Sequence, residues 1–239
     1  MSKGFSSVPL VSCIMPTYNR RHFFSRAVIY FLRQEYPNRE LIIVDDGTDP
    51  VKDLVPDDPC IRYLRLDERR STGTKRNLAC EESKGEIIAH WDDDDWMATW
   101  RLRYQVENMQ REKADICGLE RLFFFNPVSN RAWQYAYPGH KWLAGGTLCY
   151  TKSFWRRNQF PTINVGEDTR FVRSSIPKKV LALEENSFYV ALIHPGNSSH
   201  KYTGNDRWRE YPSSAVRDFM GEDLDFYTGK NGRDAYGHT

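Results

Sequence analysis

Glu86-Ile87-Ile88-Ala89-His90-Trp91-Asp92-Asp93-Asp94-Asp95-Trp96 passes from an apolar segment straight into four adjacent carboxylates framed by two tryptophans. The apolar part predicts a strand over 86–91 that ends where the aspartates begin. Four neighbouring like charges repel one another, and their pKa values rise if they are held together unpaired. A solvated acidic turn escapes the problem by exposure. A hard divalent cation removes it by charge, because magnesium and its relatives take a few carboxylate oxygens and complete their shell with phosphates. The stretch alone leaves both readings open, and the rest of the chain decides.

Upstream, Leu10-Val11-Ser12-Cys13-Ile14-Met15 is a short apolar run stopped by Pro16, which suits a buried strand. A helical pattern follows over about 22–34, with Phe23, Ala27 and Phe31 in one row and Phe24, Val28 and Leu32 beside it. Pro37-Asn38 breaks it, and Leu41-Ile42-Ile43-Val44 then runs into Asp45-Asp46-Gly47. A third strand is expected at 61–66, and a helix over 72–83 leads to Gly85 and the opening stretch. Near-continuous apolar strands alternating with amphipathic helices predict an α/β fold, a Rossmann-like, mainly parallel sheet covered on both faces. Such sheets bind ligands beyond the carboxyl ends of their strands. Three of those ends are polar here: Thr17-Tyr18-Asn19, Asp45-Asp46 and the aspartate run. Their convergence on one edge favours a site over a plain turn.

Downstream, a helix over about 99–110 buries Leu102, Val106 and Met109. From Asp115 the character changes to short aromatic strands at 116–119, 122–125, 133–135, 146–150, 181–183 and 187–193, a smaller mixed or antiparallel region. Beyond Pro195 the chain turns polar, and 207–210 and 216–226 suggest short helices in a C-terminal tail. Neither an internal repeat nor a clear linker is present.

The 34 lysines and arginines against 32 acids leave a net charge of +2, so nothing asks for a nucleic-acid partner. Five cysteines are odd in number and scattered; Cys13, Cys117 and Cys149 lie in apolar runs and read as small buried hydrophobes in a reducing compartment. The segment 1–9 lacks the basic start and apolar stretch of a signal peptide. No segment approaches roughly 18 continuous apolar residues, so no transmembrane span is expected. These features predict a cytoplasmic protein, with peripheral membrane association through a tail around Trp208 left open.

Val11 to Arg20 (VSCIMPTYNR) resembles the opening of the family-2 glycosyltransferases, and Leu41 to Thr48 (LIIVDDGT) is similar to that family's second motif. Thr74-Lys75-Arg76-Asn77-Leu78-Ala79 with Lys84 to Ile88 resembles the segment before its metal motif, and Asp92 to Asp95 match the metal motif itself. The likeness runs over about 8–195 and is most specific in the first 110 residues. It implies a GT-A type fold, a nucleotide-sugar donor with uridine favoured, Mn2+ or Mg2+, and inverting transfer to a hydroxyl of a saccharide, lipid-linked or protein acceptor. It also implies a glycosyltransferase domain over 1–195, split into a donor half (1–112) and an acceptor half (113–195), with a 196–239 extension.

Position by position, the resemblance puts Pro16, Thr17, Tyr18 and Asn19 around the nucleobase, and Asp45 and Asp46 at the base or ribose edge. Arg76 and Asp93 become donor contacts, Asp94 the principal metal ligand, and Asp92 and Asp95 supports for water or the turn, with Asp92 close to the donor. Physically, the departing nucleoside diphosphate gathers negative charge that a bound cation stabilises, while a carboxylate takes the acceptor's proton. Gly166-Glu167-Asp168 is the candidate for that base; acids in a helix's first turn are common for electrostatic reasons, but here Asp168 matches the family's base position. Glu167 is the second choice or an acceptor contact. His194 and His200 flank a polar loop and are candidates for the metal shell or the diphosphate, whereas His90, inside the strand, reads as structural. Lys201 and Arg207 are candidates to screen charge, and Trp142, Trp155 and Trp208 to stack on sugar. A nucleotidyltransferase would need a Gly-rich basic loop after the first strand, and Pro16-Thr17-Tyr18-Asn19 is not one. A binding module without turnover is the other alternative, against which Asp94 and Asp168 speak.

Overall fold

The computed structural model describes residues 8–229, apart from 138, 140 and 141. The chain opens with β1 (Val11–Thr17), α1 (Arg21–Leu32), β2 (Arg39–Asp45), β3 (Ile61–Arg65), α2 (Thr72–Glu82) and β4 (Ile87–His90). β1 pairs in parallel with β2 on one side and β4 on the other, and β2 pairs in parallel with β3. β1 and β2 are buried almost throughout, which is why both read as unbroken apolar runs rather than alternating ones. α1 buries Phe23, Phe24, Ala27, Val28 and Phe31 of the rows its spacing announced, and Tyr30 besides, while Leu32, expected in the same face, is exposed at the helix end. Its packing is fixed by Trp91, whose ring meets Phe31 edge-on at 6.0 Å and whose indole N–H donates to the Ala27 carbonyl.

After the aspartates come β5 (Trp96–Met97), α3 (Arg101–Glu112), β6 (Ile116–Gly118), β7 (Arg121–Asn126), β8 (Arg131–Ala136) and β9 (Cys149–Thr151). Next are α4 (Lys152–Arg157), α5 (Glu167–Arg173), β10 (Val180–Ala182), β11 (Tyr189–Leu192), β12 (Trp208–Tyr211), α6 (Ser213–Met220) and α7 (Leu224–Thr228). Seven strands form the first sheet in the order β10-β6-β9-β4-β1-β2-β3, with β9 antiparallel to both its neighbours. Five form a second, mixed sheet in the order β12-β8-β7-β11-β5, in which β7 and β11 run parallel.

One local expectation fails, and one element had no forecast, for a common reason. Trp208–Tyr211, expected as part of a short helix, is a strand on the edge of the second sheet. Trp96-Met97, next to the aspartates and given no element from the sequence, is also a strand, paired with β11. Segments of two to four residues carry no readable period, so partners far away in sequence set their conformation.

Candidate active site

A cleft of about 970 Å³ opens where the parallel strands end. Of the residues singled out in the sequence, Pro16, Thr17, Tyr18, Asn19, Arg76, Asp92, Asp93, Asp94, Asp95, Trp142, Glu167, Asp168, His194 and Lys201 line it; Asp45, Asp46, His90, Trp155, His200, Arg207 and Trp208 do not. β1 delivers the 17–20 loop, β4 the aspartates, α2 Arg76, and the start of α5 the pair Glu167 and Asp168.

The four aspartates divide by partner. Asp95 accepts hydrogen bonds from the Tyr189 hydroxyl and from the Leu192 amide at 2.9 Å, which ties the turn to β11. Burial and the neighbouring charges of Asp94 and Asp92 push its pKa well up. Asp94 receives the Arg20 guanidinium at 2.5 Å and lies 3.0 Å from His194 Nε2. Burial alone would raise its pKa, but the His194 hydrogen bond and the Arg20 charge outweigh burial and hold it at about 2. Asp93 makes no ion pair of its own among the described residues, and against burial only the more distant Arg20 charge and the Thr17 hydroxyl act to lower its pKa. Its Oδ2 is buried without a hydrogen bond, as is Thr17 Oγ1. Burial and the charge of Asp94 lift Asp93 to about 7.

This corner fits a divalent cation as a shared site rather than a closed cage. Carboxylate oxygen and imidazole nitrogen suit manganese or magnesium-like ions, and the orphaned Asp93 oxygen has no internal use for its lone pairs. Among the described residues no three acidic, histidine or cysteine side chains converge as a ready-made metal cluster. Such an ion takes the rest of its shell from substrate phosphates and water. The Gly196 amide donates to His194 Nδ1, so Nε2 carries the proton and donates to Asp94. His194 as placed therefore orients Asp94, and direct ligation through Nε2 requires the other tautomer.

A second ion-pair chain crosses the opposite wall. Arg76, buried, reaches Glu167 Oε1 at 2.7 Å and Asp92 Oδ1 at 3.4 Å. Burial raises the Glu167 pKa in spite of Arg76. Glu167 is thus occupied in fixing Arg76, and Asp168 is the acid of this pair turned to the cleft. Its Oδ1 accepts the Thr169 amide at 2.6 Å, and its Oδ2 lies where a side chain on Gly145 would sit, 1.9 Å from the Cβ that Gly145 lacks. Gly146 likewise leaves room for Asp92 Oδ2 and the Tyr189 hydroxyl. Gly145-Gly146 is therefore the floor on which the two carboxylates approach.

The remaining candidates fall outside. Asp45 accepts from the Gly47 and Val51 amides and the Tyr63 hydroxyl, so its carboxylate is consumed in shaping the loop after β2 and is not at a ligand edge. Asp46 is buried against Lys75 Nζ at 2.6 Å and the Arg70 amide, behind the wall that Lys75 presents. His200 is exposed with its ring against Tyr202, away from Asp94. His90 is buried and neutral, since burial pushes its pKa well down; its Nδ1–H donates to the Gly145 carbonyl. Arg20, Arg101 and Tyr189 went unassigned in the sequence. Arg20 carried a signal, as the basic residue closing VSCIMPTYNR. Arg101, fully buried and donating to the His90 and Gly146 carbonyls, carried none.

Residues 12–181 match the sequence model of the family described as Glycosyl transferase family 2. The Escherichia coli protein UDP-Glc:alpha-D-GlcNAc-diphosphoundecaprenol beta-1,3-glucosyltransferase WfgD is 36% identical over 104 residues, 42% of this chain and 41% of that protein. The chain thus spans less than half the length of the curated relatives it matches. S. aureus TarS 1-349, solved in complex with UDP-GlcNAc, aligns with a TM-score of 0.62 at 16% identity over 93% of this chain and 74% of that one. The mannosyltransferase PcManGT from Pyrobaculum calidifontis, solved in complex with GDP-Man and Mn2+, aligns with a TM-score of 0.60 at 19% identity, covering 95% of this chain and 65% of that one. At such identities the likeness shows the GT-A type fold. The family match covers well over half the sequence, with the strand-end loops and the aspartate run inside it, and on that ground the chain belongs to glycosyl transferase family 2.

Proposed function

We propose that this glycosyltransferase moves a sugar, with inversion, from a nucleoside-diphosphate donor to a hydroxyl of a saccharide acceptor in polysaccharide or glycoconjugate synthesis. The observation that carries the reading is that Asp94 and Asp168, brought by separate elements, line one cleft, with Asp168 seated against Gly145. A uridine donor is supported by the name of the WfgD relative and by the UDP-GlcNAc held in the TarS neighbour. The lipid-linked saccharide in the WfgD name supports an acceptor of that class. Among the described residues no helix is long and apolar enough to cross a membrane. We place the enzyme in the cytoplasm, peripheral to the membrane that carries such an acceptor.

Asp168 takes the proton from the acceptor hydroxyl as that oxygen attacks the anomeric carbon on the face opposite the diphosphate. The bond from that carbon to the diphosphate oxygen breaks, and its electron pair leaves with the nucleoside diphosphate. Asp94, with His194 beside it, would hold Mn2+ or Mg2+, which supplies Lewis-acid neutralisation of the leaving group. Thr17 Oγ1 and Asp93 Oδ2, buried beside one another with no partner elsewhere among the described residues, are a donor and an acceptor available to the donor's hydroxyls. Tyr18, backed by Arg69 at 4.3 Å, offers a ring to the nucleobase. Arg76, fixed by Glu167 and Asp92, keeps the acidic wall in place.

The test is a donor screen of UDP-, GDP- and dTDP-sugars, read by nucleoside diphosphate release with Mn2+ or with chelator, and product stereochemistry by NMR. Metal-dependent release with inverted linkage is expected. Full turnover in Asp94→Ala, or binding without turnover across the panel, would overturn the reading.

A further inference from the structure

Beside the reaction cleft lies a smaller hollow of about 260 Å³, room for one sugar ring, which shares Phe124, Trp142, Ser199 and Lys201 with the cleft. Its walls are aromatic. Tyr135 meets Trp142 at 5.1 Å and Trp208 at 4.9 Å, both near edge-on, and Trp208 stands 4.6 Å from Phe124. Strand β12 puts Trp208 there by pairing it with Tyr135 across the β8 edge.

The hollow is also basic. Lys201 Nζ lies 5.6 Å from the Phe124 ring and donates to Ser199 Oγ, and the Arg207 guanidinium sits 4.0 Å over Tyr137. Neither has a carboxylate partner among the described residues, although ion pairs are frequent elsewhere on this chain. Cations held on aromatic faces without counter-charge, next to stacking surfaces for a ring, are a recognition set for an acidic sugar.

We propose that this hollow is the acceptor subsite and that it selects a saccharide bearing an anionic group, a carboxylate or a phosphate ester, one residue away from the attacking hydroxyl. The inference rests on the main cleft being the transfer site. Aromatic faces take the apolar side of the ring, and Arg207 and Lys201 take the anion.

The test titrates the full chain, by tryptophan fluorescence, with three probes: a disaccharide ending in glucose, its glucuronate counterpart and its 6-phosphate. The expected result is at least about tenfold tighter binding of an anionic probe than of the neutral one, the worth of one charge-assisted hydrogen bond. Which anionic probe wins identifies the substituent. Arg207→Gln should abolish the preference, and Lys201→Gln, on another wall, should weaken it. Equal binding of neutral and charged probes overturns the proposal, as does a preference intact in both variants. UDP is titrated in the same samples: failure there strikes the donor cleft, while the saccharide titration still decides the hollow.

Discussion

Two parallel strands of the first sheet lead into runs of aspartate, β2 into Asp45-Asp46 and β4 into Asp92 to Asp95, and the two runs do opposite work. After β2, each carboxylate is satisfied internally, Asp45 by two amides and a hydroxyl, Asp46 by Lys75 and an amide. After β4, Asp95 is satisfied in the same way, but Asp93 keeps an orphaned oxygen and Asp94 is held by the side chains of Arg20 and His194 rather than by backbone amides. The difference lies in the supply of backbone donors. A tight turn folds back over Asp45, whereas the chain after β4 leads away into β5 and leaves its carboxylates facing the cleft. An acidic run at a strand end is thus a structural device or a binding device according to how many amides its own loop returns to it.

The largest effect should come from the cleft. Asp168→Asn is expected to lower turnover by about 10²–10⁴-fold, the usual worth of a general base, with nucleotide affinity unchanged. Steady-state rates beside a UDP titration check it, and an unimpaired variant would place the base elsewhere.

The comparison itself is broken or sharpened by stability. Asp45→Asn turns an amide NH2 towards groups that are already donors, and should cost about 3 kcal/mol in urea unfolding near neutral pH. Asp93→Asn removes a buried carboxyl whose Oδ2 has no hydrogen bond of normal geometry and whose charged form burial disfavours, and without ligands should cost less than about 0.5 kcal/mol or stabilise the fold. Equal costs would erase the distinction between the two runs.

The parallel half of the fold was legible because its strands are buried on both faces and its helices carry broad apolar stripes, so composition and period agree. The second sheet was legible as a region but not in detail: β12 and β5 exist through partners at Tyr135 and Tyr189 that no local pattern names. At the site, the sequence could bring Asp94 and Asp168 together by resemblance. It could not show that Asp45 folds inward, that Glu167 is spent on Arg76, or that Arg101 anchors the Gly146 carbonyl, since each depends on a contact distant in sequence.

Arg20 sharpens the cleft side of the comparison. Its guanidinium donates to Asp94 and to the Gly196 carbonyl beside His194, so it competes with any cation for the Asp94 charge. Arg20→Gln is expected to tighten Mn2+ binding by roughly tenfold, the exchange of one charge-assisted contact. Titration followed by electron paramagnetic resonance reads this without turnover. Weaker Mn2+ binding would show that Arg20 props the site open.

The last effect concerns His90, which joins the end of β4 to the Gly145 floor. Its folded-state pKa lies well below the ordinary histidine value because burial and Arg76 disfavour the imidazolium. Above pH 6.5 neither folded nor unfolded imidazole is charged, and the group adds no pH dependence. Below it the unfolded chain binds a proton that the folded chain refuses, so stability falls by up to about 1.4 kcal/mol per pH unit until the folded pKa is reached. The raised pKa values of Asp95 and Glu167 act in the opposite direction, since folding then favours proton uptake as pH falls. The His90 contribution is therefore the difference between wild type and His90→Asn, whose amide can still donate to the Gly145 carbonyl. Urea midpoints should diverge steadily from pH 6.5 down to 5.5, with the variant losing less. Parallel curves would mean that His90 takes up a proton within the fold, and that the Gly145 floor under Asp168 is less closely packed than its contacts indicate.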